Sequence, residues 1–259
     1  MKRVVIIGSG NLAEALARAV AKSGLELVQI FARNAERARI IAELTATDWA
    51  THPGMLAQDA DIYLIAVSDK AVEHVAATLP IPEGAAVAHT AGSVPLAAIP
   101  EKFAHRAVFY PMQTFTKGRE VDFSVIPVFL ETPSAELRPE LEAFARQLSG
   151  TVIWATSEQR ARVHLAAVFA CNFVNHMYAV GEGIVRSAGL PFDVLKPLLA
   201  ETAAKALDAA SPADVQTGPA VRNDLPTMAR HRALLAADPR LENIYSIISN
   251  NIWEISKKI

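Results

Sequence analysis

Three side chains on one apolar stretch, His164, Asn172 and Asn175, could together move a proton and hold a polar substrate. A histidine, with an ordinary pKa near ~6.5, gives or takes a proton at neutral pH, and an asparagine amide can grip a carbonyl or hydroxyl. Offsets of 8 and 11 residues from His164 put both amides on one stripe of an α-helix at about 3.6 residues per turn. Polar groups in so apolar a segment are costly unless they are paired or face a cavity. The competing reading is a hydrogen-bonded structural stripe at a helix or subunit interface. Cys171, in the same stripe, reads as a small core thiol, and His176 is a weaker candidate.

A second constellation opens the chain. The apolar run Val4-Val5-Ile6-Ile7 leads into Gly8-Ser9-Gly10-Asn11-Leu12-Ala13, and Glu14 to Lys22 follows with helical periodicity. Strand, glycine turn and helix in that order can cradle a pyrophosphate. Gly8 lets the chain turn sharply, Gly10 leaves no side chain where phosphate approaches, Ala13 allows helix to pack on strand, and the helix opening near Asn11 directs its free amides at the anion. Gly8, Ser9, Gly10, Asn11 and Leu12 are the expected contacts. After the second predicted strand, Leu25 to Ala32, a carboxylate would favour NAD, but the chain has Arg33-Asn34 there, with Arg37 one turn on. A guanidinium fork binds a 2′-phosphate, so Arg33 and Asn34 predict NADP; a solvated helix start is the alternative.

Strands predicted at 61–67 and 83–88 end in Ala66-Val67-Ser68 and in His89-Thr90. In a doubly wound sheet these carboxyl ends face the ligand, which places Ala66, Val67 and Ser68 along the dinucleotide and Thr90 near the nicotinamide. Further strands are expected at 108–115, 125–130 and 151–154, with a helix over 134–148. Strands then vanish. One long helix is expected over 157–187, and others over 192–210, 225–236 and 240–257. The first is apolar nearly all round, so it should be buried in its own domain or against another subunit. The fold class is therefore α/β, an N-terminal Rossmann-type doubly wound parallel sheet over 1–155 with an all-α C-terminal domain over 156–259.

The 259 residues are 51% hydrophobic, carry a formal charge of −2 and include one cysteine. Such a balance argues against nucleic acid as a partner, and no Cys/His cluster has zinc spacing, so no metal is expected. The four-residue apolar run after Met1-Lys2-Arg3 is too short for a signal-peptide core. No uninterrupted apolar segment approaches the ~20 residues of a bilayer span. A soluble cytoplasmic protein without membrane contact is predicted. The loop Thr217-Gly218-Pro219-Ala220-Val221-Arg222-Asn223-Asp224 reads either as a helix connection or as a substrate-gripping loop, with Arg222 suited to an acidic group.

These segments, with Ser68-Asp69, His89-Thr90-Ala91-Gly92-Ser93 and Phe109-Tyr110-Pro111-Met112-Gln113-Thr114-Phe115, resemble in order a bacterial family of NADP oxidoreductases. Its members pair a Rossmann-like N-terminal domain with a helical C-terminal domain. More remotely, the chain is similar to pyrroline-5-carboxylate reductase and to the 6-phosphogluconate and 3-hydroxyisobutyrate dehydrogenases, whose helical domains often build a dimer. The Lys and Asn spaced by four residues in those hydroxyacid dehydrogenases have no counterpart, since Val168 follows His164 at that spacing. The resemblance implies an NADP-dependent oxidoreductase, a homodimer through the helical domain, moving hydride between nicotinamide and a small carbonyl, imine or hydroxy compound. His164 would handle the proton and Asn172 and Asn175 the substrate. A protein that binds NADP without turnover, using its helical domain as a partner surface, is the other reading.

Overall fold

A computed structural model describes residues 1–257; Lys258 and Ile259, the end of the predicted C-terminal domain, lie outside the described residues. Eight strands, β1 (Arg3–Ile7), β2 (Glu26–Phe31), β3 (Asp48–Ala50), β4 (Ile62–Ile65), β5 (Ala86–His89), β6 (Arg106–Pro111), β7 (Val128–Glu131) and β8 (Val152–Trp154), form one sheet in the order β3-β2-β1-β4-β5-β6-β7-β8. The first six run parallel; β7 is antiparallel to β6, and β8 runs parallel to β7. The doubly wound parallel sheet predicted from the sequence is present, with a reversed pair added at its far edge.

Alternation along β1 explains the two layers. Val4 and Ile6 pack with Leu16 of α1 (Asn11–Lys22) and Ile41 of α2 (Ala35–Thr45). Val5 and Ile7 pack on the opposite face with Ala76 of α3 (Val72–Thr78). A strand buried on both faces reads as a continuous apolar run, and this one does. Strand β6 alternates in the same way. Phe109 meets Phe144 of α4 (Leu137–Arg146) edge to face at 5.6 Å, while Tyr110 and Val108 turn to the other side with Phe129 and Val163.

The long helix starts at Ser157 because Thr156 and Gln159 cap it reciprocally: the Thr156 hydroxyl accepts from the Gln159 amide, and the Gln159 side chain accepts from the Thr156 amide. It runs as α5 (Ser157–Ala167), a π-helical segment over Val168–Phe173, and α6 (Val174–Ser187). Burial within the chain, one of the two alternatives set out for it, is not what the structure has: Leu165, Phe169 and Phe173 are 57%, 61% and 49% exposed. By length and mean hydropathy alone this 31-residue run could cross a membrane, although His164, Asn172, Asn175 and His176 interrupt it, so no uninterrupted apolar run approaches ~20 residues.

The chain divides into two compact units, Met1–His176 and one beginning at Met177. The second unit contains most of α6 together with α7 (Lys196–Asp208), α8 (Leu225–Leu234) and α9 (Pro239–Ser256). Asp224 and Asp238 cap α8 and α9 by accepting first-turn amides.

Candidate active site

The glycine turn has the geometry its residue types demand. Gly8 sits at φ +134°, and a Cβ there would lie 2.2 Å from the Ala66 carbonyl oxygen, so only glycine fits where β1 leaves the sheet beside the end of β4. A Cβ on Gly10 would meet nothing within 4 Å. Gly10 is the N-cap of α1 and supplies no side-chain acceptor, which leaves first-turn amides open toward that space. An anion can therefore approach the backbone, and the residues present fit a dinucleotide pyrophosphate.

The neighbouring charges are arranged around Glu14. This carboxylate is buried in the first turn of α1 and pairs with Arg37 at 2.8 Å and Arg18 at 3.1 Å. Burial alone would raise its pKa, but the two guanidiniums outweigh that and hold it below the ordinary carboxylate range. Arg37 also donates to the Ser9 carbonyl at 3.4 Å. Its guanidinium is thus engaged in pinning the turn. Arg33, two residues past β2, is exposed and has no ion-pair or hydrogen-bond partner among the described residues. The Phe31 carbonyl that ends β2 accepts from the Gly8 amide at 2.8 Å, which brings Arg33 to the turn's side of the sheet. Asn34 spends its side chain capping α2, accepting from the Arg37 amide at 3.0 Å. Asn11 reaches across the sheet edge and donates to the Phe115 carbonyl at 3.0 Å. Ser68 is exposed and free of a capping bond, Val67 is half-buried, and Thr90 is buried with its hydroxyl on the Ile65 carbonyl.

His164 lies against the end of β5. A Cβ on Gly92 would come within 2.7 Å of both the His164 Nδ1 and the Tyr110 ring, so Gly92 forms the floor beneath them. The Tyr110 hydroxyl and His164 Nδ1 are 3.2 Å apart. Burial, then the Asp69 carboxylate, raises the Tyr110 pKa, which keeps the phenol protonated and able to donate to Nδ1. With Tyr110 as the donor, the ring proton lies on Nε2. Tyr110, missed as a functional side chain in the sequence, is legible only from the alternation of β6 that aims it at α5.

A cavity of about 620 Å³ opens beside this pair, within the range of small-molecule sites. His164, Cys171 and Asn172 line it with Gln113 and Thr114 from the segment after β6. Asn175 is exposed and does not line it. The π segment is the physical reason: its wider turns advance the chain by a smaller angle per residue, so positions beyond Phe173 fall behind the stripe on which His164 stands.

One buried arginine supports the arrangement. Arg160 is 1% exposed; it pairs with Glu131 at 2.5 Å, donates to the carbonyls of Ala91 and Val94, and lies one turn before His164. The loop carrying Gly92 and the helix carrying His164 are thereby tied to β7. His89, fully buried beneath the same loop, accepts from the Ala91 amide on Nδ1, while its Nε2 has no partner among the described residues. Burial, then the Arg160 charge, lower its pKa to about 4. The unfolded chain binds this proton more readily, so stability contributed by neutral His89 is complete above pH ~6.5 and is lost as pH falls toward 4, by about 3 kcal/mol in all. Urea unfolding should show that loss in the parent and a shallower one in His89→Asn; an equal loss in both would assign it to other groups.

In the loop after α7, Asp224 serves as a helix cap, and Arg222 is exposed without a partner among the described residues.

Residues 3–91 match the family described as NADP oxidoreductase, coenzyme F420-dependent, and residues 126–252 match a domain of unknown function, DUF2520. The crystal structure of "putative NADP oxidoreductase BF3122" from Bacteroides fragilis is 41% identical over 98% of both chains, with a TM-score of 0.91. Protein TM1727 from Thermotoga maritima is 23% identical over 98% of this chain and 99% of its own, with a TM-score of 0.81. An imine reductase from Myxococcus stipitatus in complex with NADP+ shares the fold at 16% identity and a TM-score of 0.62, over 99% of this chain and 93% of its own. No curated protein matches the chain.

Proposed function

The chain belongs to the family of the Bacteroides fragilis protein, and from that membership we propose an NADP-dependent oxidoreductase that moves hydride between nicotinamide and a small carbonyl, imine or hydroxy compound. The observation that carries the cofactor reading is the contrast between the two glycines, one wedged against the Ala66 carbonyl and the other facing open space at an uncapped helix start. Residues 1–155 hold NADP, and residues 156–259 supply substrate contacts and a dimer face. Gly8, Ser9, Gly10, Asn11 and Leu12 bound the pyrophosphate site, Arg33 with Asn34 the 2′-phosphate, and Ala66, Val67, Ser68 and Thr90 the rest of the dinucleotide. Bound NADPH supplies the hydride. His164 supplies the proton from Nε2, with Tyr110 fixing its tautomer, and Asn172 orients the substrate. The exposed apolar side chains of the long helix support a homodimer, and the single cysteine fits a reducing cytoplasm.

Calorimetric titration tests this reading. NADPH should bind at least tenfold more tightly than NADH, about 1.4 kcal/mol, and Arg33→Asp should reverse the order. Equal affinity in the parent, or unchanged preference in Arg33→Asp, would overturn Arg33 as the phosphate ligand; binding of neither nucleotide would overturn the function.

A further inference from the structure

Asn11 stands in the glycine turn, yet its side chain serves another part of the first unit. As the first residue of α1 it follows the N-cap, Gly10, so its carboxamide is not spent on capping the helix. It donates instead to the Phe115 carbonyl, 104 positions along the chain, at 3.0 Å. A carbonyl only accepts, which puts the Asn11 nitrogen on that side.

Phe115 belongs to the segment that leaves β6 and runs along α1 before β7. Farther on, Glu120 of this segment pairs with Arg18 at 3.4 Å and Lys22 at 3.1 Å. Positions 11, 18 and 22 share one stripe of α1, with the small side chains of Ala15 and Ala19 between them. The segment is thus held to the helix at both ends of that stripe, but the ties differ. The far ion pairs lie at the surface, where such pairs contribute little. At the near end the Phe115 ring stacks on Phe123 at 6.3 Å, a contact that can slide at little cost. Other hydrogen bonds between Thr114 and Arg119 are local: the Thr114 amide to Gln113 Oε1 at 2.8 Å, and the Arg119 amide to the Thr116 carbonyl at 3.1 Å. Among the described residues, Asn11 makes the one hydrogen bond that fixes this stretch to the rest of the fold.

Gln113 and Thr114 immediately precede Phe115, and both line the cavity beside His164. With its oxygen held by the Thr114 amide, Gln113 keeps an NH2 that has no partner among the described residues and is open to a ligand. The turn from which Asn11 reaches is itself pinned, through Arg37 on the Ser9 carbonyl. We infer that Asn11 is a positioning residue: by holding Phe115 it sets Gln113 and Thr114 at a fixed place relative to the glycine turn, and so the substrate's polar group relative to the cofactor. The consequence for substrate rests on the function proposed above; the tie itself rests on the Asn11–Phe115 bond.

Amide hydrogen exchange read by NMR, together with steady-state kinetics on the full chain, tests this. In Asn11→Ala the Gln113 and Thr114 amides should exchange at least tenfold faster than in the parent. Glu120→Gln, which weakens only the far tie, should leave both at the parent rate. With 1-pyrroline or cyclohexanone and saturating NADPH, Asn11→Ala should raise KM about tenfold, well beyond any fall in kcat, because the receiving groups move while Arg160 still holds the loop beneath His164. A bond that only stabilised the fold would not produce that split. Parent-like exchange of the two amides in Asn11→Ala, or a fall in kcat with KM unchanged, overturns the inference. Reduction of neither compound by the parent would instead count against the oxidoreductase itself, and would remove the substrate role of Asn11 whatever the exchange rates.

Discussion

His164→Gln is expected to bind NADPH as tightly as the parent and to oxidise it roughly 10²–10⁴ times more slowly in a single turnover with a cyclic imine or small ketone. Glutamine keeps a donor near the same place but has no titratable proton, so binding contacts survive while proton transfer does not. The hydrogen bond between the Tyr110 hydroxyl and Nδ1, at 3.2 Å, makes the histidine more than a bystander, since with Tyr110 as donor it selects the tautomer that leaves Nε2–H available. Tyr110→Phe should therefore cost less than His164→Gln while moving the pH profile of turnover. Stopped-flow measurement of NADPH absorbance reads both. A parent-like rate in His164→Gln would reduce His164 to a side chain packed over Gly92 and send the proton elsewhere.

Alanine at the two glycines of the turn should fail in opposite ways. Gly8→Ala places a methyl 2.2 Å from the Ala66 carbonyl at a backbone φ of +134°, and both strands that would have to part are central to the sheet. A loss of about 4 kcal/mol in unfolding free energy follows, enough to leave a marginally stable domain largely unfolded. Gly10→Ala meets nothing within 4 Å and has the ordinary φ of −75°, so stability should change by less than about 1 kcal/mol. Its methyl instead occupies the space a pyrophosphate needs, and NADPH affinity should fall about a hundredfold, ~2.7 kcal/mol. Chemical unfolding and calorimetry on the two proteins separate the outcomes. A Gly10→Ala protein that binds NADPH normally would remove the cradle from the argument.

The parallel sheet was legible because its strands are buried on both faces and read as unbroken apolar runs, as in Val4 to Ile7 and Ile62 to Ile65. Strand β3, three residues long and half exposed, carries no such run, and the direction of β7 depends on a pairing with β6 that periodicity does not encode. The glycine turn was legible because Gly8 and Gly10 are needed for reasons local to the backbone. The partners of His164 were not. Tyr110 lies 54 positions away and Gly92 farther still, and their approach depends on Arg160 holding the loop after β5. A charged residue in an amphipathic segment looks like a solvated face, and nothing around Arg160 in the chain marks it as buried. The π segment escaped for a related reason: its composition, Val-Phe-Ala-Cys-Asn-Phe, suits an α-helix equally well, so the offset from His164 to Asn175 looked like one stripe.

The pairing of Glu14 with Arg37, and of Arg37 with the Ser9 carbonyl, bears on how binding energy is spent. A flexible phosphate loop must be ordered by its ligand, and part of the interaction energy goes into freezing the chain. Here the ion pair, buried at one end and fastened to the turn at the other, has already frozen it. Affinity is then set by the contacts themselves, and the cofactor raises the melting point only by mass action, as RT ln(1 + [L]/Kd), with no additional term for a loop that folds on binding.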